Sequence, residues 1–265
     1  MTDERPEIME DLNHIFLSIK FEFLRHIRRK RFYIMLAISL IFSLLYYLIG
    51  KAANFDFADD PNEHAFISLS LVTLFIIISA SVFAGDAVNG EFTKKTGLLL
   101  FTTPQRRESI FIGKYLAALF AIYIFISLTY LIIAIQILEL YGSDGLTTKF
   151  AQSYLLALLY SAAVTSLIFF FSTILKTTTA SSIIGFFTLF LIMPITTGVV
   201  ILLKRKPWFI LTNTGYIVTW ILLPQDEWDD IDFAPGLNKS IMVMFAYCMG
   251  FLLSSIFIAS RKPVE

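Results

Sequence analysis

The chain has 265 residues, of which 57% are hydrophobic, 15% aromatic and only 16% charged. A soluble domain carries about 25% charged residues, so this composition describes a membrane protein. The zero net charge excludes a global electrostatic pull toward nucleic acid, and no nucleic-acid partner is expected.

The first thirty residues are charged throughout and lack the apolar core of a signal peptide, so the N-terminus is expected to stay on the mature protein. Leu12, Ile15, Phe16, Ile19, Phe23 and Ile27 recur at helical spacing, while Lys20, Glu22, Arg25, Arg28 and Arg29 fall elsewhere on the wheel. The pattern predicts an amphipathic arm over residues 1–31, lying on the inner membrane surface with its basic end toward anionic lipid. A cytoplasmic helix packed on a partner is the alternative.

A helix needs about 20 apolar residues to cross a bilayer. Six runs qualify: Phe32–Ile49, Ala65–Ala84, Ile110–Leu138, Phe150–Leu175, Ala180–Leu203 and Ile241–Ala259. Backbone groups in lipid must be satisfied internally, so these are predicted as α-helices. The ten-residue alternation of a membrane β-barrel is missing. The expected fold is an all-α integral membrane protein, with a transmembrane domain over residues 32–259 and a cytoplasmic tail over 260–265.

Lysine and arginine set the orientation. Lys20, Arg25, Arg28, Arg29, Lys30 and Arg31 precede the first span; Lys94, Lys95, Arg106 and Arg107 separate spans two and three; Arg261 and Lys262 follow span six. The opposite loops are acidic, with Asp56, Asp59, Asp60 and Glu63 in one and Asp226, Glu227, Asp229, Asp230 and Asp232 in another. Both termini are therefore expected in the cytoplasm of a multi-pass plasma-membrane protein. Lys204, Arg205 and Lys206 break this pattern on the outer side. Beside them runs "WFILTNTGYIVTWILL", Trp208–Leu223, interrupted by Asn213, Thr214 and Gly215. The charge rule favours a re-entrant outer segment over residues 207–237; a seventh span is the alternative.

The span interiors carry almost no ionisable groups. Lys114, Glu139 and Lys176 stand near ends, where long side chains reach the interface. Gln136 is the most polar residue well inside a span. That weakens a channel or secondary-carrier reading. The sequence has no H-E-x-x-H, G-x-S-x-G or complete G-x-x-x-x-G-K-[ST], so no catalytic residue, metal site or bound cofactor is expected in this chain. The single cysteine, Cys248, cannot form an internal disulfide. Ser161 with Thr165, and Ala246, Gly250 and Ser254, stand four apart and are candidate helix-packing faces. Pro194 is expected to kink span five, as a static bend or as a hinge.

The stretch 86–109 is too ordered in composition for a linker. Phe92, Leu98, Leu99 and Phe101 offer apolar anchors among Glu91, Lys94 and Lys95. Thr103-Pro104 signals a new helix that starts near Pro104 and runs through Arg106, Arg107 and Glu108 into span three. "GDAVNGEFTKKTGLLLFTTPQRRESIFIGKYLA" resembles the segment between spans two and three of ABC-2-type permeases, the membrane subunits of ATP-binding-cassette exporters. "KTTTASSIIG", Lys176–Gly185, is similar to their short second cytoplasmic loop. Thr96-Gly97 departs from the Gly-Thr order of many relatives.

The resemblance implies a permease that exports a hydrophobic or amphipathic substrate, powered by a separate ATPase subunit holding ATP and magnesium. Residues 86–109 would then include a coupling helix. Glu91, Lys94, Lys95, Leu98, Phe101, Pro104, Arg106, Arg107 and Glu108 would touch the ATPase. Two permeases, identical or related, would enclose the pathway, lined mainly by spans one, two and five. A non-transporting membrane anchor for a cytoplasmic protein explains the same loop; substrate-stimulated ATPase activity separates the two.

Overall fold

A computed structural model describes residues 7–53, 57–90, 106–224 and 236–261. Helix α1 (Glu7–Ile27) ends at a short break, and α2 (Lys30–Ala52) follows at once. Helices α3 (Pro61–Leu69) and α4 (Val72–Ala84) continue one another, and α5 (Arg107–Tyr141) is unbroken over 35 residues. A single 3-10 turn, Ser143–Gly145, leads to α6 (Thr148–Ile174). Then come α7 (Thr178–Phe187), a π-helical turn Thr188–Ile192, α8 (Met193–Leu202), the short α9 (Leu211–Gly215) and α10 (Ile217–Trp220), and α11 (Leu237–Arg261).

Six helical stretches are long and apolar enough to cross a membrane: Lys30–Ala52, Pro61–Ala84, Arg107–Tyr141, Thr148–Ile174, Thr178–Leu202 and Leu237–Ser260. The chain is an all-α membrane protein. Two spans contain breaks. Between α3 and α4, Ser70 N–H bonds to Ile67 O at 3.2 Å, a tighter turn that no proline or glycine announces in the sequence. In the fifth span the π turn ends just before Pro194, which has no N–H to donate and crowds the carbonyl one turn back.

α6 is the most enclosed of the spans and packs against α4 and α11. α5 packs against α1, α2, α4 and α6. Phe125 of α5 anchors the core between α2 and α4: its ring centroid lies 5.0 Å from Phe32, 5.5 Å from Phe83 and 6.5 Å from Phe75. Small polar groups tie the same helices. Ser39 shares a hydrogen bond of 2.9 Å with Thr129, and Gln136 Nε2 donates to Ser43 O at 2.8 Å. In a bundle surrounded by lipid, such bonds replace the hydrophobic drive between helices.

Trp208–Leu223 contains no single long helix. α9, Tyr216 and α10 together cover ten residues, about 15 Å, half the hydrocarbon thickness. Lys149 Nζ, at the start of α6, donates to Leu223 O at 3.0 Å. Gly215 abuts the Tyr160 ring, so a Cβ there would lie 2.7 Å from it. Tyr160 is 11 residues along α6 from Lys149, about 16 Å.

The small-residue faces divide. Ser161 and Thr165 are fully buried, and each hydroxyl bonds a carbonyl of its own helix, Leu158 and Ser161 respectively. Ala246, Gly250 and Ser254 lie on the exposed side of α11. α11 meets α6 through other residues: Phe251 packs edge-on to Phe170 at 5.1 Å, and Ser166 Oγ donates to Tyr247 O. The size of these residues thus serves no contact within the described chain.

Candidate coupling site at the loop end of the bundle

Glu91, Lys94, Lys95, Leu98, Phe101 and Pro104 lie outside the described residues. Of the loop positions that are described, Arg106 is exposed and precedes the first turn of α5 without a side-chain cap. Glu108 is exposed in that first turn, where a carboxylate favours the helix dipole. Arg107 turns inward, and its Nη1 donates to Ser260 O at 3.4 Å, near the end of α11. The helix begins at Arg107 with Arg106 as its extended N-cap residue, and Pro104 lies outside the described residues.

The turn that leads into the loop is held from two sides. On one side Arg31 grips Asp86 with two nitrogens, Nη1 to Oδ2 at 2.9 Å and Nη2 to Oδ1 at 3.2 Å. Arg29 Nη1 adds a third bond to Oδ2 at 2.9 Å. Arg31 Nη1 also donates to Val82 O at 2.8 Å. Asp86 follows the C-terminus of α4, where a lone carboxylate would oppose the helix dipole; Arg31 neutralises both the carboxylate and a terminal carbonyl. Burial would raise the Asp86 carboxyl pKa, but the charges and hydrogen bonds of Arg31, then Arg29, outweigh it and hold the group below its ordinary value.

His26 completes this side. It is 2% exposed, and its ring meets Phe83 edge-on at 5.3 Å. Arg31 Nη2 lies 3.2 Å from His26 Nδ1. Arginine can only donate, so Nδ1 accepts and the ring is neutral, with its proton on Nε2. Burial first, then the Arg31 charge, pushes the His26 pKa down to about 3.

On the other side the turn meets the α6–α7 junction. Ser172 Oγ accepts from Val88 N at 3.1 Å and Asn89 N at 3.3 Å. Asn89 Nδ2 donates to Thr177 O at 3.3 Å and to Ser181 Oγ at 3.2 Å. Ser181 Oγ donates to Gly85 O at 2.5 Å. Gly85 allows this approach, since a Cβ would stand 2.8 Å from Ser182 Cα and 2.1 Å from its Oγ. Residues 85–90 thus join the α1–α2 elbow to the α6–α7 junction.

α1 braces the emerging end of α5. Gly113 lets Ser18 approach so closely that an added Cβ would stand 2.4 Å from Ser18 Cβ. One turn away, Lys114 donates to Glu22 Oε1, and Glu22 Oε2 lies 3.1 Å from Arg25. This corrects one sequence expectation. Lys114 does not reach for the interface: it is 2% exposed and paired with Glu22 inside the protein. In α1, Phe23 and Ile27 of the expected apolar stripe pack against the core and Lys20 and Arg28 are exposed, while Glu22, Arg25 and Arg29 face protein and Phe16 and Phe21 are each 67% exposed, with Leu17 and Leu24 beside them.

A family model described as ABC-2 family transporter protein matches residues 18–194. The chain belongs to that family. The comparison with curated proteins yields no match. The family match runs from the middle of α1 to Pro194, so it includes the Asp86 clamp, the Asn89 bonds and the Glu22–Lys114 pair. As an ABC-2 permease, the chain is the membrane-spanning subunit of an ABC transporter.

Asp86, Asn89, Arg29, Arg31 and Glu22 were not among the site residues the sequence suggested. The available signal was an acidic residue just after a span and two arginines just before one. Positive-inside topology already accounts for those arginines, so their second role carried no separate mark.

Proposed function

We propose that this permease exports a hydrophobic or amphipathic substrate from the plasma membrane, driven by ATP hydrolysis in separate ATPase subunits that bind ATP and magnesium. Residues 86–109 form the contact with the ATPase on the cytoplasmic side, where both chain termini lie. Two permeases, identical or related, enclose the pathway. The re-entrant reading of residues 207–237 fits the short, doubled-back course of α9 and α10 against Tyr160.

The observation that carries this reading is the double attachment of residues 85–90. Asp86 fastens the base of the loop to Arg29 and Arg31, and Asn89 fastens it to the α6–α7 junction. A push on the loop therefore reaches the ends of α2, α4, α6 and α7 together. A loop serving only as a docking anchor has no need of such ties. The exposed faces of α2 and of α7–α8, including Ile34, Ile38, Ile41, Phe187 and Leu191, are apolar, which suits a substrate of low polarity.

The test is purification from native membranes followed by ATPase assay in liposomes. An ATPase subunit should co-purify, and hydrolysis should rise with substrate. Arg106→Glu with Arg107→Glu should weaken both assembly and stimulated hydrolysis. Full assembly and unchanged stimulation in that double variant would remove the loop from the coupling path.

A further inference from the structure

A cleft with a volume of about 700 Å³ opens between α1, α2 and α5. Its walls come from Phe16, Ile19 and Phe23 of α1, Leu36 of α2, and α5 from Phe120 to Leu131. The Ser127 hydroxyl in this wall is already bonded to Tyr154 Oη at 2.8 Å, so it leaves the surface effectively apolar. Lys20 is the only charged residue lining the cleft among the described residues. It is exposed and makes no ion pair among the described residues, unlike Arg25, Arg29, Arg31 and Lys114 around it.

We propose that this cleft is a binding site for one anionic phospholipid of the leaflet at the loop end of the bundle, with an acyl chain along α5 and the phosphate at Lys20. The inference goes beyond the transport reading and does not require it. Three observations carry it. First, the α5 wall runs from Phe120 to Leu131, 12 residues and about 16 Å, close to the depth of one leaflet in a hydrocarbon core of about 30 Å. Second, the cation lies at the correct end. α1 crosses α5 at Gly113 and Lys114, on the loop side of Phe120, so Lys20 is at the shallow end and Leu131 at the deep end. Third, the outward face of α1 is apolar at Phe16, Leu17, Phe21 and Leu24, which sets the helix at the headgroup–acyl boundary where a lipid phosphate would meet Lys20.

The test uses the full-length chain, purified in detergent and delipidated, then titrated with phosphatidylglycerol or phosphatidylcholine of identical acyl chains. Retained lipid is counted by native mass spectrometry. One phosphatidylglycerol should be held about fivefold more tightly than phosphatidylcholine, the factor expected for one lysine facing an anionic headgroup. Lys20→Gln should abolish the preference, and Lys20→Arg should keep it. Arg28→Gln, which removes an exposed cation outside the cleft, should also keep it. Ile124→Trp, which fills the wall, should lower retention of both lipids. Equal retention of the two lipids by the unaltered chain overturns the proposal, as does a preference that survives Lys20→Gln or is lost equally in Arg28→Gln. Efficient disulfide formation between copies carrying Ile124→Cys in a Cys248→Ser background also overturns it, because a second copy then occupies the cleft.

Discussion

Arg31 and Asp86, 55 residues apart in sequence, form a bidentate bridge at the point where α4 gives way to the loop. The same guanidinium lies 5.3 Å from the centre of the Phe83 ring and bonds to His26. One arginine therefore organises the elbow of α1 and α2, the end of α4 and a buried histidine.

Removing one partner of this bridge should cost more than removing both. Asp86→Asn leaves two clustered arginines without their carboxylate and should destabilise the protein by about 2 kcal/mol, the value of charge-assisted hydrogen bonds. Arg31→Gln should cost a similar amount. The double variant should recover part of the loss, giving a coupling energy above about 1 kcal/mol in a double-mutant cycle of thermal or denaturant unfolding in detergent. Simple additivity would mean that the bridge contributes little.

His26 gives a pH dependence with a definite sign. Its pKa is about 3 in the folded chain against an ordinary 6.5, so between those values the unfolded chain carries the extra proton. Stability should therefore fall as pH drops below 6.5, at up to about 1.4 kcal/mol per pH unit, and level off below the folded value. Asp86 acts lower on the scale: its contribution is intact above the ordinary 3.8 and is lost as pH falls through its lower folded value. Melting temperatures of the wild type and His26→Gln, compared from pH 7.5 to pH 4.5, should converge toward the acid end. Parallel curves would show that His26 binds its proton as readily in the fold as in the unfolded chain.

Gly113 and Ser18 make a steric prediction with a built-in rescue. Gly113→Ala inserts a methyl 2.4 Å from Ser18 Cβ and should destabilise the chain by about 1–3 kcal/mol by forcing α1 off α5. Adding Ser18→Gly removes the clashing atom and should restore most of that loss. Failure of the rescue would place the cost of Gly113→Ala within α5 itself.

Glu22 and Lys114 should behave as a buried pair. Glu22→Gln takes the carboxylate from a lysine that is 2% exposed and should cost about 3–5 kcal/mol. Replacing both, as Glu22→Leu with Lys114→Met, should cost much less, because the buried lysine charge goes with its partner and only the partly exposed Arg25 loses a carboxylate. Expression and unfolding midpoints of the two variants against the wild type would decide it.

The spans were legible because a long apolar run has one structural solution in lipid. What escaped the sequence were contacts between distant positions. The Asp86–Arg31 bridge leaves no periodic trace, and Gly113 read only as part of an incomplete nucleotide motif at the start of a span. In α1 the periodicity was legible, but not that Glu22, Arg25 and Arg29 pair within the protein, because periodicity cannot tell whether a charged residue meets water or a buried counter-charge. The alternating small residues of α11 had the spacing of a packing face, yet neighbouring aromatics make the contact with α6. The break at Ser70–Leu71 has no residue that demands it, and the structure offers no physical account of it.

At 35 residues α5 is about 52 Å long, some 20 Å more than the hydrocarbon it must cross. It has no proline and no interruption, so it behaves as a rod. α1 and α2 hold that rod near Gly113, Lys114 and Phe125, while Arg107 stands beyond them at its loop end, against Ser260 of α11. A sideways shift at Arg107 would not be absorbed locally. It would turn the rod about that fulcrum and arrive, reversed in direction, at Glu139 and Tyr141 on the far surface.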